Sequence, residues 1–265
     1  MFERDTDRDW QRYGAEDPYY GVVSDDRFHK NCLDESARNA FFKTGEEHVT
    51  YLFDVICKHM LPDFSPERIL DFGCGVGRCT IPFSRFGKDV VGIDVSEDMI
   101  REARTNASTQ KVNNVQFVAS ASPDEALQGK FDLIHSFIVF QHIPQPRGEV
   151  LLTQLVNMLS ADGVGVFHFL YHTEISSLHR LIRGLRKRIA PLHWVANVLH
   201  KKPLLYPLME KNEYDLNRLF FVLRRLGCGE ITLRMEGVHS MHGIMIFFRR
   251  KRDLIPYNRD QISDS

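Results

Sequence analysis

The chain has 265 residues, 43% of them hydrophobic, and a net charge of −1; it can bury a large core and carries no charge excess that would draw it to nucleic acid or an anionic membrane. Its five cysteines, Cys32, Cys57, Cys74, Cys79 and Cys228, are scattered without Cys-x-x-Cys spacing, which excludes a disulfide framework and a conventional zinc site. The start, MFERDTDRDW, is of mixed charge rather than basic then apolar, and no run of about 18 apolar residues occurs; the expectation is a cytoplasmic protein with reduced thiols and no transmembrane segment.

In chain order, residues 1–45 mix Trp10, Tyr13, Tyr19, Tyr20, Phe28, Phe41 and Phe42 with many acids, which predicts an ordered cap rather than a loose tail. Glu46–Met60 is apolar at Val49, Leu52, Phe53, Ile56 and Cys57, a helix spacing with Thr44 and Glu47 placed as a capping box. Ile69, Leu70 and Phe72 around Asp71 read as a buried parallel strand. Glycines follow at 73, 75 and 77, where a strand must turn sharply while a ligand approaches the backbone. Cys79–Phe86 fits a helix, and Asp89–Asp94 a second strand ending on an acid placed to accept hydrogen bonds from ribose hydroxyls.

Ser96 caps an expected helix over Glu97–Asn106, and strands are predicted at Val115–Ala119 and Phe131–Phe137. A helix over Arg147–Ser160 stops at Ala161-Asp162-Gly163, followed by a strand at Val164–Leu170. From Ile175 to Met209 there is no acid but seven basic residues, beside apolar stripes at Leu178, Leu181, Ile182 and Leu185 and at Trp194, Val195, Val198 and Leu199. Two short helices are expected there, with three readings: a solvated face of a structural lid, a clamp for an anionic acceptor, or an amphipathic patch for transient membrane-surface contact. Glu213–Leu226 reads as the last large helix, and Glu230–Met235 with Gly243–Phe248 as an antiparallel pair.

The glycine loop departs from the dinucleotide fingerprint, which wants a third glycine where Arg78 stands, and no Gly-Lys-Ser/Thr follows for a phosphate loop. Asp71-x-Gly73-x-Gly75-x-Gly77 instead resembles the loop of the class I S-adenosylmethionine-dependent methyltransferases, and the likeness runs from about Glu46 to Lys251. It implies a Rossmann-like α/β fold with a seven-stranded sheet, order 3-2-1-4-5-7-6, strand 7 antiparallel and helices on both faces. The implied division is a cap over 1–45, a methyltransferase domain over 46–252 with a helical lid at about 174–211, and a tail over 253–265. The implied cofactor is S-adenosyl-L-methionine, yielding S-adenosyl-L-homocysteine, held by Asp71, Gly73, Cys74, Gly75, Gly77, Asp94, Val95, Met99, Ser120, Ala121, Ser136, Phe137 and Gln141. Ser120-Ala121-Ser122 replaces the acid the family often places beside the adenine.

His142, in a segment ending "hydrophobic, His, Ile, Pro", is the candidate general base, its other reading being a structural hydrogen bond. His168, Tyr171 and His172 stand at the edge of the fifth strand as acceptor-pocket candidates, with His168 equally readable as core. Asp17-Pro18-Tyr19-Tyr20 superficially resembles a base-gripping loop, which makes Tyr19 and Tyr20 further candidates; a proline turn packed on the core, or a lid over the substrate mouth, are the alternatives. No metal ligands are implied. The expected function is methyl transfer to O, N or C of a small-molecule or lipid-linked metabolite, against a non-catalytic cofactor-binding partner protein or a nicotinamide-dependent oxidoreductase.

Overall fold

The computed structural model describes residues 6–176, 209–238 and 240–251. Its elements run α1 (Thr6–Glu16), α2 (Pro18–Val22), α3 (Glu35–His59), β1 (Arg68–Phe72), α4 (Thr80–Phe83), β2 (Asp89–Asp94), α5 (Glu97–Thr109), β3 (Val115–Ala119), α6 (Pro123–Ala126), β4 (Phe131–Ser136), α7 (Gln145–Met158), β5 (Leu159–Thr173), α8 (Leu216–Arg225), β6 (Cys228–Val238) and β7 (Met241–Arg250). The strands form one sheet in the order β3-β2-β1-β4-β5-β7-β6. β1 to β5 pair in parallel, and β7 inserts antiparallel between β5 and β6.

Apolar side chains on both sides of the central strands dictate the layering, because such strands need cover on both faces. Ile69, Val90 and Leu133 pack under Val49, Leu52, Phe53 and Ile56 of α3. Leu70, Val91 and Ile134 join Leu151, Leu152 and Leu155 of α7 and Leu219 and Leu223 of α8 on the other face. A third apolar cluster joins the N-terminal segment to α5: Tyr13, Tyr19, Phe28 and Phe41 pack with Cys74, Met99, Ile100 and Phe117.

Several element limits differ from the sequence expectation, each for a local reason. α3 starts at Glu35 rather than Glu46: the Asp34 carboxylate accepts from the Ala37 N–H at 2.7 Å, while Thr44 lies inside the helix and donates to the Phe41 carbonyl. Gly45 lets α3 pass against the turn after β1, where a Cβ would sit 2.0 Å from the Arg78 carbonyl oxygen. α4 is four residues long rather than eight: beyond Phe83 the Ser84, Arg85 and Phe86 N–H groups donate to the carbonyls of Ile81, Pro82 and Phe83, three residues back, in tighter turns. Ala161-Asp162-Gly163 is an irregularity within β5, Asp162 at φ +68°, and not a helix stop. β6 and β7 absorb most of the expected 236–242 connection. The expected helices of the basic run, and the tail over 253–265, lie outside the described residues.

Candidate active site

The turn after β1 is held by backbone and one carboxylate. The Gly73 and Cys74 N–H groups donate to the Ile93 carbonyl at 2.8 and 3.0 Å. Asp94, at the tip of β2, accepts from the Gly75 N–H through Oδ2 and from the Ser96 N–H through Oδ1, both at 2.9 Å. Gly73 (φ +74°) and Gly75 (φ +53°) adopt the left-handed region. A Cβ would also meet Val139 Cγ2 at 2.3 Å from Gly73 and Val22 Cγ2 at 2.5 Å from Gly75. Both glycines are thus required by conformation and by space.

This turn floors a cavity. Asp71, Cys74 and Arg78 line it from β1 and its turn, Asp94, Val95 and Met99 from β2 and α5, Ser120 and Ala121 from beyond β3, and His135, Phe137, Ile138 and Val139 from β4 and its end. The roof is the N-terminal segment: Thr6, Asp7 and Trp10 of α1 with Gly21 and Val22 of α2. Both guanidinium nitrogens of Arg147, on α7, grip the two Asp7 oxygens at 2.7 Å, and Trp10 meets the His142 ring edge-on at 4.8 Å. Such a fork is the stronger form of ion pair.

A chain of polar side chains crosses the floor. Thr80 Oγ1 donates to Asp71 Oδ2 at 2.6 Å, and His135 Nδ1 lies 2.8 Å from Asp71 Oδ1. With that proton on Nδ1, His135 Nε2 accepts from His48 Nε2 at 3.0 Å. Burial, ahead of the neighbouring His135, holds the His48 pKa well below the ordinary histidine value. Burial also raises Asp94 to about 6, against the two N–H groups that favour its charge.

The sequence-derived candidates divide. Asp71, Gly73, Cys74, Gly75, Asp94, Val95, Met99, Ser120, Ala121 and Phe137 line the cavity; Gly77, Ser136 and Gln141 do not. The Ser120 hydroxyl is tied into a local turn with Ser122. His142 lines the cavity, but its Nδ1 donates to the Glu210 carbonyl at 2.6 Å, its Nε2 lies 3.1 Å from the Gln141 amide nitrogen, and burial lowers it to about 4. Both of its ring nitrogens are thus engaged, the geometry of the structural reading.

The structure places the acceptor candidates outside the cavity lining. Tyr19 is buried away from the cavity, its hydroxyl 2.7 Å from Glu102 and 2.9 Å from Asn106 and accepting from Arg38, so it pins the roof to α5. Tyr20 stacks on His29 at 3.8 Å. His168 is buried against Phe137, and Tyr171 and His172 face the β7 side, near His242; none lines the cavity. Sequence reasoning missed His135, Arg78, and the Asp7, Trp10 and Arg147 group. His135 had a signal, an imidazole following the apolar Leu133-Ile134 pair of β4, and it pairs in register with Asp71.

Residues 69–163 match the family model described as a methyltransferase domain. Over that stretch the chain is similar to methyltransferase domains. Curated methyltransferase relatives include the ubiquinone biosynthesis O-methyltransferases of Neisseria meningitidis serogroup C, 28% identical over 53% of this chain and 59% of that one, and of Sinorhizobium fredii, 32% identical over 46% and 51%. The chain thus spans about half the length of the curated relatives it matches. Among solved methyltransferases, the magnesium protoporphyrin IX methyltransferase of Synechocystis PCC 6803 with bound SAH superposes with a TM-score of 0.60 at 19% identity, covering 93% of this chain and all of that one. The N-methyltransferase NodS of Bradyrhizobium japonicum WM9 gives 0.58 at 16%, covering 93% and 99%. Both superpositions show a shared overall fold. The five cysteines are free, and no described helix is long and apolar enough to cross a membrane.

Proposed function

We propose that this chain transfers the methyl group of S-adenosylmethionine to an oxygen, nitrogen or carbon of a small molecule. The observation that carries this reading is the pairing of a bare-backbone bend with Asp94, whose carboxylate is fixed by two N–H groups yet lies on the cavity wall. Its remaining lone pairs suit ribose hydroxyls, Val95, Met99 and Ala121 offer an apolar slot for a purine, and Gly73 and Cys74 leave open backbone toward the amino-acid end. The helix after the bend has only four residues and so offers little dipole for a pyrophosphate, which disfavours a nicotinamide dinucleotide.

When bound, the cofactor supplies a methyl group already activated on a sulfonium. The chain's part is to hold the acceptor atom in line, which in well-oriented systems lowers the barrier by roughly 7–11 kcal/mol, and to exclude water beneath α1 and α2. The cavity histidines have both ring nitrogens engaged, so the reading favours an acceptor that needs no imidazole base, such as a neutral amine or an already ionised hydroxyl. We further infer a reducing, cytoplasmic setting from the free thiols, and a small acceptor rather than a nucleic acid from the balanced charge.

Calorimetric titration tests the reading. S-adenosylhomocysteine should bind and NAD should not, and Asp94→Ala should abolish the difference. Tight NAD binding with no response to the adenosyl compound overturns it. Release of S-adenosylhomocysteine from the methylated cofactor in a small-metabolite extract distinguishes an enzyme from a cofactor-binding partner protein.

A further inference from the structure

We propose that the free edge of β6 pairs antiparallel with the same edge of a second copy of this chain, with Met235 on the twofold axis. β6 ends the sheet: β7 pairs with one side of it, and among the described residues nothing pairs with the other. An edge of this length without proline is a ready template for another strand. Ile231, Leu233 and Met235 alternate along it and are exposed, Met235 to 65%. Leu233 and Met235 stand opposite Ile246 and Ile244 of β7, on the face that packs against α8. An apolar strip therefore runs beside that helix and reaches solvent.

Charge selects the occupant and the register. The alternate residues Arg234 and Glu236 lie on the α3 face, opposite Met245 and Gly243. Arg234 Nη1 donates to the adjacent Leu233 carbonyl at 3.0 Å, and the half-buried Glu236 lies 3.9 Å from His168 Nε2. In a continuous antiparallel sheet, residues that oppose one another share a face, so a twofold pair sets one residue of each strand against its own copy. An axis at Arg234 or at Glu236 puts like charges face to face. An axis at Thr232 or at Leu233 runs the irregular stretch between Gly229 and Thr232 through the pairing. The axis at Met235 uses regular ladder and sets Arg234 against Glu236 of the second copy, twice, and Leu233 against its Gly237.

Opposite charges directly across a strand pair stabilise it, and like charges destabilise it. The same twofold keeps the second copy's α8 on the same face, so two helices flank one strip made of Leu233 and Met235 from both chains. The contact is small beside a permanent dimer interface, which makes the association reversible and concentration-dependent. None of these β6 residues lines the cavity, so the pairing stands or falls apart from methyl transfer.

Sedimentation velocity of the full chain, over a concentration series reaching the high micromolar range, tests the pairing. Wild type should pass from monomer to dimer as concentration rises. Arg234→Glu and Glu236→Arg each set like charges opposite one another, and each should weaken the dimer at least about tenfold. The double variant Arg234→Glu/Glu236→Arg exchanges the charges and should restore the dissociation constant to within about threefold of wild type. Met235→Lys places two ammonium groups on the axis and should leave monomer throughout.

Wild type that stays monomeric across the series, or assembles beyond a dimer, overturns the inference. So does a dimer that no variant weakens, or a loss in the single reversals that the double variant does not repair. Melting temperature reports whether each variant folds. Should a charge variant fail to fold, Met235→Lys decides alone: a dimer as tight as wild type overturns the inference, and a folded monomer supports it.

Discussion

The two sides of the cavity are built by different means. On the β1–β2 side the geometry is backbone: glycines in left-handed conformations, carbonyls and N–H groups in fixed register, and one carboxylate that accepts from two of them. On the β4 and roof side it is side chains from distant elements: His48 with His135, Trp10 with His142, Asp7 with Arg147. Glycine substitutions on the first side should therefore act as all-or-none, because a Cβ has nowhere to go. Those on the second should be graded, because a neighbour can shift.

The largest effect is expected at Gly73→Ala. Its backbone is left-handed and the new Cβ would lie 2.3 Å from Val139 Cγ2, so we expect about 1–3 kcal/mol of lost stability and loss of measurable S-adenosylhomocysteine binding, read by melting temperature and calorimetry.

Asp94→Asn comes next, keeping shape but losing charge. Cofactor affinity should fall by about tenfold to a hundredfold, one to two charge-assisted hydrogen bonds. The same carboxylate sets a pH dependence. Burial has raised Asp94 from 3.8 to about 6, and hydroxyl donors favour its ionised form. Affinity should thus be flat above pH 7 and weaken as pH falls through 6, in wild type but not in Asp94→Asn. For the ligand-free protein the sign is opposite. The native state holds this proton more tightly than the unfolded chain, so the group's contribution to stability declines as pH rises from about 4 to about 6.

On the roof, Asp7→Asn breaks the fork with Arg147. The expected outcome is several-fold faster release of S-adenosylhomocysteine in stopped-flow, with melting temperature changed little, since a partly exposed pair contributes about 1 kcal/mol or less.

The smallest effect on chemistry is expected at His142→Asn, which retains a donor toward the Glu210 carbonyl. A general base would cost about a hundredfold or more on removal; a rate within about twofold, with an unchanged pH profile, is the expected result, and a hundredfold loss would restore His142 as the base.

The same division explains what could be read in advance. The strands, the bend and Asp94 were legible because backbone geometry leaves a signature in residue type: glycine where a Cβ cannot fit, apolar runs where both faces are covered, an acid where a strand ends; the order of the strands in the sheet came from the family resemblance. The roof was legible only as a cluster of aromatics. Nothing in the spacing of Asp7 and Arg147 announces that they meet, because that contact depends on how α1 lies over α7. Tyr19 and His142 were ambiguous for a related reason: tyrosine and histidine suit a ligand and a buried structural hydrogen bond equally well, and their partners are legible only in the fold. Helix limits were misplaced at Thr44, which offered a cap where α3 runs on from Asp34, and after Phe83, where α4 gives way to tighter turns.

Ile138, at the rim where β4 gives way to the cavity, sits at φ +61° and is 36% exposed. A β-branched residue there costs roughly 1–2 kcal/mol relative to an extended or helical backbone. Such a hinge is loaded before any guest arrives: a molecule pressing on Phe137 or Val139 meets a wall that gains by yielding. Induced adjustment in this protein should begin at that corner, while the glycine side stays rigid.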